Sequence, residues 1–132
     1  MKENIEDIKR GVKTFIEARV ILLANKVFAA FPEQKSSYPC CVIDVVASKS
    51  QPLYEGGFQQ GLLRLTIVHT DTKSLDQLFD DVHIAFIKYG YLIEDFSYEG
   101  IFAITPTMPA LVEKGELFKR EMDIDISWII VR

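Results

Sequence analysis

Few residues in this chain could do chemistry, and their spacing argues against most of it. Cys40 and Cys41 are adjacent. A thiol becomes a nucleophile beside a general base, and only His69 or His83 could serve as that base. Successive side chains of a strand point to opposite faces. The two thiols are therefore expected in different surroundings, at least one as a buried, inert strand cysteine. The same geometry argues against a Cys40–Cys41 disulfide, and two adjacent cysteines make no disulfide framework. Reduced thiols fit a reducing compartment.

Asp80, Asp81 and His83 carry atoms that bind metals. On a helix, neighbouring residues point about 100° apart, so the trio does not converge and reads as a solvated face. Asp123 and Asp125 sit one strand repeat apart, about 7 Å. That separation suits the carboxylate pair of an inverting glycosidase, but catalytic pairs need unequal environments in a cleft. Here Glu121 and Ser127 continue the same polar row. A solvent-facing row with a cross-strand cation such as Arg64 is the better reading. No phosphate loop, dinucleotide fingerprint, nucleophile elbow or zinc spacing occurs. No catalytic, cofactor-binding or metal-binding residue can be named, and the chain is expected not to be an enzyme.

Bulk properties agree. The 132 residues suit one domain spanning residues 1–132. Hydrophobic residues at 48% and charged ones at 26% are globular proportions. The net charge of −4 leaves no basic excess for nucleic acid to find, so specific nucleic-acid binding is not expected. The first residues are charged, unlike a secretory signal. The most apolar stretch, residues 18–31, is interrupted by Arg19, Asn25 and Lys26. It falls short of the roughly 20 apolar residues a membrane span needs. A cytoplasmic protein without a membrane partner is expected.

The elements follow from periodicity. Residues 4–30 read as one long helix, with Asn4 as N-cap and Glu6 and Asp7 in its first turn. Its second half is apolar nearly all round, which a helix buried on one side does not need. Val20, Leu23, Val27 and Phe28 are therefore candidates for a subunit contact. Pro32 would end the helix. Residues 40–49 read as a strand buried on both faces. A loop is expected over residues 50–60, then a strand over 61–70 with Leu63, Leu65 and Ile67 on one face. A second helix over 74–89 has Ser74 and Gln77 as a capping box and Gly90 at its C′ position. Residues 91–104 read as a strand broken near Glu99 and Gly100, followed by a proline-containing loop. From Glu121 the alternation is strict. Met122, Ile124, Ile126, Trp128 and Ile130 point one way; Glu121, Asp123, Asp125 and Ser127 point the other. Trp128 is expected in the core, against Leu63, Leu65 and Ile67. The fold class is α+β: an antiparallel sheet of about four strands packed on two helices, one long and N-terminal.

The aromatic residues outside these elements, Tyr54, Phe58 and Phe102, together with Met108, lie on or near loops. Large apolar side chains placed so commonly mark protein contacts.

In chain order the elements form a pattern. A long helix leads to YPCCVIDV; the loop YEGGF leads to LLRLTIVH; then come SLDQLFDDVHIAFIKYG and a closing FKREMDIDISWII. This resembles the tail terminator and tail completion proteins of tailed bacteriophages, over nearly the whole chain. The resemblance implies a small α+β subunit that forms a ring, commonly hexameric. Such a ring caps the head-proximal end of the tail tube, stops its growth and meets the head–tail connector. It implies three partners: copies of itself, the tube protein and the connector protein. It implies assembly in the host cytoplasm, a final place in the virion tail, and no cofactor. On that reading the row Glu121, Asp123 and Asp125 is a candidate face of the ring channel, where negative charge would keep passing DNA from sticking. Two other classes remain open: a small cytoplasmic ligand-binding domain or enzyme with a pocket beside the first helix, and an adaptor unrelated to viruses. Oligomeric state separates them.

Overall fold

The strict alternation at the C-terminus becomes the interior of the sheet. In the computed structural model, which describes residues 5–28, 38–53, 56–93, 97–109 and 117–131, β6 (Phe118–Val131) pairs antiparallel with β3 (Gly56–His69) along their whole lengths. Its other side carries β4 (Ser97–Ile104) and the short β5 (Met108–Pro109). Beyond β3 lie β2 (Cys40–Leu53), antiparallel to it, and β1 (Val27–Phe28), parallel to β2. The order is β1-β2-β3-β6-β4. The class is α+β as expected, with six strands rather than four among the described residues and one parallel pair.

One face of this sheet is apolar and carries both helices. Met122, Ile124 and Ile126 alternate with Leu63, Leu65 and Ile67 across the β3–β6 ladder, none more than 1% exposed. Onto them pack α1 (Ile5–Arg19), through Ile8, Val12, Phe15 and Ile16, and α2 (Thr72–Tyr89), through Leu75, Leu78, Phe79, Val82 and Phe86. These are the apolar stripes of two amphipathic helices. The rings of Phe15 and Phe86 lie 4.9 Å apart and those of Phe86 and Tyr98 5.5 Å, so one aromatic chain ties α1, α2 and β4 together. The indole of Trp128 lies outside the described side chains.

The first helix is shorter than its apolar run implied. It stops at Arg19. Val20 is extended, Ile21–Leu23 form a 3-10 turn, and Asn25 takes a left-handed conformation with φ 60°. Asparagine is one of the few residues that tolerate this. The chain thereby reverses and enters β1. The apolar run is thus divided: Val20, Leu23 and Val27 are buried, whereas Ile21 is 90% and Leu22 58% exposed. The expected N-cap Asn4 and terminator Pro32 lie outside the described residues.

The hairpin corrects a second expectation. Residues 50–53 and 56–60 are strand rather than loop; β2 runs to Leu53 and β3 starts at Gly56, with Pro52 opposite Gly57. Glycine and proline weaken a strand, but here β3 is paired on both sides, with Gly56 and Gly57 also opposite Val131 and Ile130. Two ladders outweigh the local preference.

Around α2, the N-cap is Asp71, not Ser74. Its carboxylate accepts from the Ser74 backbone N–H at 2.9 Å and the Ser74 hydroxyl at 2.8 Å. Gly90 follows the helix as expected but is not left-handed; its φ is −58° and it opens a 3-10 turn, Gly90–Leu92. It is small because Tyr98 packs on it: a Cβ there would lie 2.6 Å from the Tyr98 ring. The strand expected from residue 91 therefore begins only at Ser97. The break expected near Glu99 and Gly100 is present, as pairing irregularities between Tyr98 and Gly100 and between Ile101 and Ala103, with Gly100 at φ 146°. Replacing Gly90 by Ala is expected to cost about 1–3 kcal/mol through overpacking. Urea unfolding checks this, and an unchanged midpoint would show that Tyr98 yields freely.

Candidate functional site

The two thiols sit on opposite faces of β2, as strand geometry requires. Cys41 belongs to the main core; Cys40 joins a smaller cluster with Val42, Val68 and Leu117 on the other face. Both are free and buried. Burial pushes the Cys40 thiol up to about 12, with Lys26 opposing only part of the effect. Cys41 is pushed up by burial and by the neighbouring Cys40. Such thiols stay protonated at neutral pH and are poor nucleophiles. His69 accepts the Thr70 backbone N–H at Nδ1, 2.8 Å away. Burial lowers its pKa, against the raising effect of Asp71. His83 lies 6.4 Å from the Phe79 ring. On α2, Asp81 accepts from the Gln77 amide. No metal-holding group of three His, Cys, Asp or Glu side chains forms among the described residues.

The acidic row is real but is not a row of free charges. Arg64 donates to both oxygens of Asp123, from Nε at 2.9 Å and from Nη2 at 3.2 Å. This is the bidentate fork that favours arginine–carboxylate pairs. Asp123 is buried. Glu121 accepts from the Thr66 hydroxyl at 3.2 Å and lies 3.9 Å from Arg64. Ser127 donates to Glu99 at 2.6 Å. Asp125, half-buried, stands opposite Leu62. The cross-strand cation expected from the sequence is Arg64, and the solvent-facing expectation is corrected for Asp123, which is buried.

The candidate contact residues fare differently. Val20, Leu23 and Val27 are in the protein's own core, and Phe28 packs half-buried against the smaller cluster. The apolar surface left over is instead Ile21 and Leu22 after α1, with Ile84, Ile87, Tyr89, Tyr91 and Leu92 at the end of α2. Between the two helices runs a groove of ≈ 560 Å³, lined by Arg19, Ile21, Leu22, Ile84, Lys88 and Tyr89 among others. The Arg19 guanidinium lies 4.6 Å from the Tyr89 ring centre, a cation–π contact. The spacing of Asn25 and Lys26 after the run was the signal for a reversal there, and reading the run as helix hid it. Of the loop candidates, Tyr54 lies outside the described residues. Phe58 is inside β3, opposite Gln51 and Ile129, with its side chain not described. Met108 is half-buried in β5, and Phe102 is 68% exposed on β4.

A second groove, of ≈ 580 Å³, opens beside α1. Lys9, Arg10, Lys13 and Thr14 line it with Val27, Phe28 and Ile43. It is cationic at the rim and apolar beneath.

No protein-family model and no curated protein matches this sequence. Among solved structures, a chain described as "Virion of native gene transfer agent (GTA) particle" superposes with a TM-score of 0.57. The match covers 94% of each chain at 14% identity. The likeness is one of fold.

The thiol geometry carries a pH dependence. Cys40 moves from an ordinary 9.0 to about 12 on folding, so the folded state holds this proton more tightly. Its contribution to stability is complete below the unfolded value and is lost as pH rises from 9.0 towards about 12. Burial raises Cys41 and Tyr98 in the same direction. Urea midpoints are expected to fall across this alkaline range, and less steeply in Cys40→Ala. Alkylation of native protein at neutral pH should label neither thiol; rapid labelling of Cys40 would contradict its burial.

Proposed function

We propose that this protein is a structural subunit of a phage-type virion, forming a ring at the head-proximal end of the tail tube. There it ends tube growth and joins tail to head. The observation that carries this reading is the end-to-end fold match to a chain of a gene transfer agent virion. The order of elements resembling phage tail terminators adds the finer placement. The expected partners are copies of itself, in a ring that is hexameric on this resemblance, together with the tube protein and the connector.

The surface supports an assembling role. Seven large apolar side chains, from Ile21 to Leu92, stand exposed around the ends of α1 and α2. Four of them, Ile21, Leu22, Ile84 and Tyr89, line one groove, and apolar exposure grouped in this way favours association over a solitary existence. Electron microscopy and light scattering of the purified protein, alone and with a tail-tube protein, test the proposal. Rings, or capped tubes of limited length, are the expected result. Ile21→Asp is expected to keep the fold, since Ile21 is 90% exposed, and to reduce capping. A protein that stays monomeric at every concentration, and ignores the tube, would favour the ligand-binding reading, for which the groove beside α1 is the natural pocket.

The row of Glu121, Asp123 and Asp125 is proposed to border the channel. Asp125 is the residue to change, because Asp123 is engaged with Arg64. With Asp125→Lys, rings are expected to form while DNA delivery falls or DNA adheres to the ring. Normal delivery would reduce the row to an ordinary outer strand face.

A further inference from the structure

The groove between α1 and α2 carries opposite charges towards its two ends and apolar side chains between them. Asp81, Ile84 and Lys88 lie at helical spacing on one stripe of α2, and all three are exposed. Beside the stripe stand Ile21 and Leu22, 90% and 58% exposed, from the 3-10 turn that follows α1. The charges of Asp81 and Lys88 are not spent within the chain. Asp81 accepts a hydrogen bond from the neutral Gln77 amide, and Lys88 makes no ion pair among the described residues. Arg19, which also lines the groove, is held over the rings of Phe15 and Tyr89. The stripe therefore offers a partner one carboxylate and one ammonium, with Ile84 between them.

We infer that a second copy of this chain covers the groove, the two α2 helices running antiparallel about a twofold axis beside Ile84. The placement of charge selects both the occupant and its orientation. Ile84 lies three residues after Asp81 and four before Lys88, so a half-turn beside it sets each Asp81 against the Lys88 of the other copy. Each charge then lies about 5 Å along its helix from the axis, near enough for a shallow crossing of about 20° to keep both pairs in reach. Ile84 meets its own counterpart at the centre, with Ile21 and Leu22 of both copies alongside. A parallel pairing would set Asp81 against Asp81 and Lys88 against Lys88, which repulsion disfavours. A partner of one charge sign would match one end of the stripe and be repelled by the other. A surface that complements itself under a half-turn makes an isologous contact, the kind that closes at two copies. This contact does not rest on the ring-forming reading. Where both hold, the pair is the free form of the subunit and keeps the groove covered until assembly.

The test is analytical ultracentrifugation of the full chain alone, where wild type is expected as a dimer in exchange with monomer. Asp81→Lys and Lys88→Glu, made singly, are each expected to dimerise about tenfold more weakly, because each puts like charges at both contacts. Mixed in equal amounts, the two variants are expected to pair with each other, since both contacts then join opposite charges. The double variant is expected to pair as wild type does, and Ile84→Asp to stay monomeric. Both charged positions are exposed, and circular dichroism with urea unfolding confirms that each variant folds. A wild type that is monomeric at every concentration overturns the inference. So does a dimer, or a ring, that both single variants form as readily as wild type. So do folded single variants whose weakness neither the mixture nor the double variant repairs. Capping of a tail-tube protein is read separately. A dimer that behaves as expected but ignores the tube keeps this contact and removes the ring reading, and capping by a chain that is monomeric when free does the reverse.

Discussion

A one-residue slip between β3 and β6 would turn Met122, Ile124 and Ile126 to the outer face and bring Asp123 and Asp125 under the helices. Everything above the sheet depends on that slip not happening. Area burial favours the observed register, and the outer face pins it independently. Arg64 grips both oxygens of Asp123 across the ladder, and Thr66 bonds Glu121 one pair further on. Thr105 exchanges hydrogen bonds with the Glu121 backbone through its own N–H and its hydroxyl. Arg120 then reaches the Thr105 carbonyl and covers the Phe79 ring at 4.2 Å. β6 thus sets the position of the chain leaving β4 through Glu121 and Arg120, and of α2 through Arg120 on its helix-facing side. A salt bridge half open to water adds little stability as a pair. Its value here lies in specifying register.

Elements whose pattern was strictly periodic were legible in the sequence. The stripe of α2, the alternation of β6 and the opposed thiols of β2 all follow from side-chain geometry that tertiary structure does not override. The end of α1 was not legible, because an apolar run such as Val20–Ala24 reads as helix whichever way the chain turns. Only Asn25, free to adopt φ 60°, marks the reversal. The hairpin was misread for the opposite reason: Pro52, Gly56 and Gly57 are loop residues by preference, yet β3 is flanked by strands on both sides. Propensity is local and a ladder is not.

The same division applies to function. That the two thiols would face different surroundings could be read from their adjacency on a strand. Which apolar residues face outward could not, since a face is defined only once its element is known. Taking residues 20–28 as helix directed attention to Val20, Leu23 and Val27, which the reversal buries, and away from Ile21 and Leu22, which it exposes. Asp123 shows the converse. Its place on the polar face and its cross-strand cation, Arg64, were plain from alternation, but the bidentate geometry and the burial of Asp123 emerged only with the register.

The irregular course of β4 bears on how the protein behaves as a free chain. A straight, exposed edge strand is a template for any passing chain, and proteins blunt such edges with charge and bulges. β4 does both, with Glu99 exposed and two irregularities within eight residues. Gly100, at φ 146°, is the residue that lets the backbone take this course. On the proposed reading, this subunit is made in many copies and must remain soluble as a pool before it assembles. An edge whose amides and carbonyls are out of step resists indiscriminate fibre growth, while its side chains remain readable to a matching surface. The kink at Gly100 therefore separates two properties that a flat edge would confound: exposed side chains and a backbone open to every passing strand.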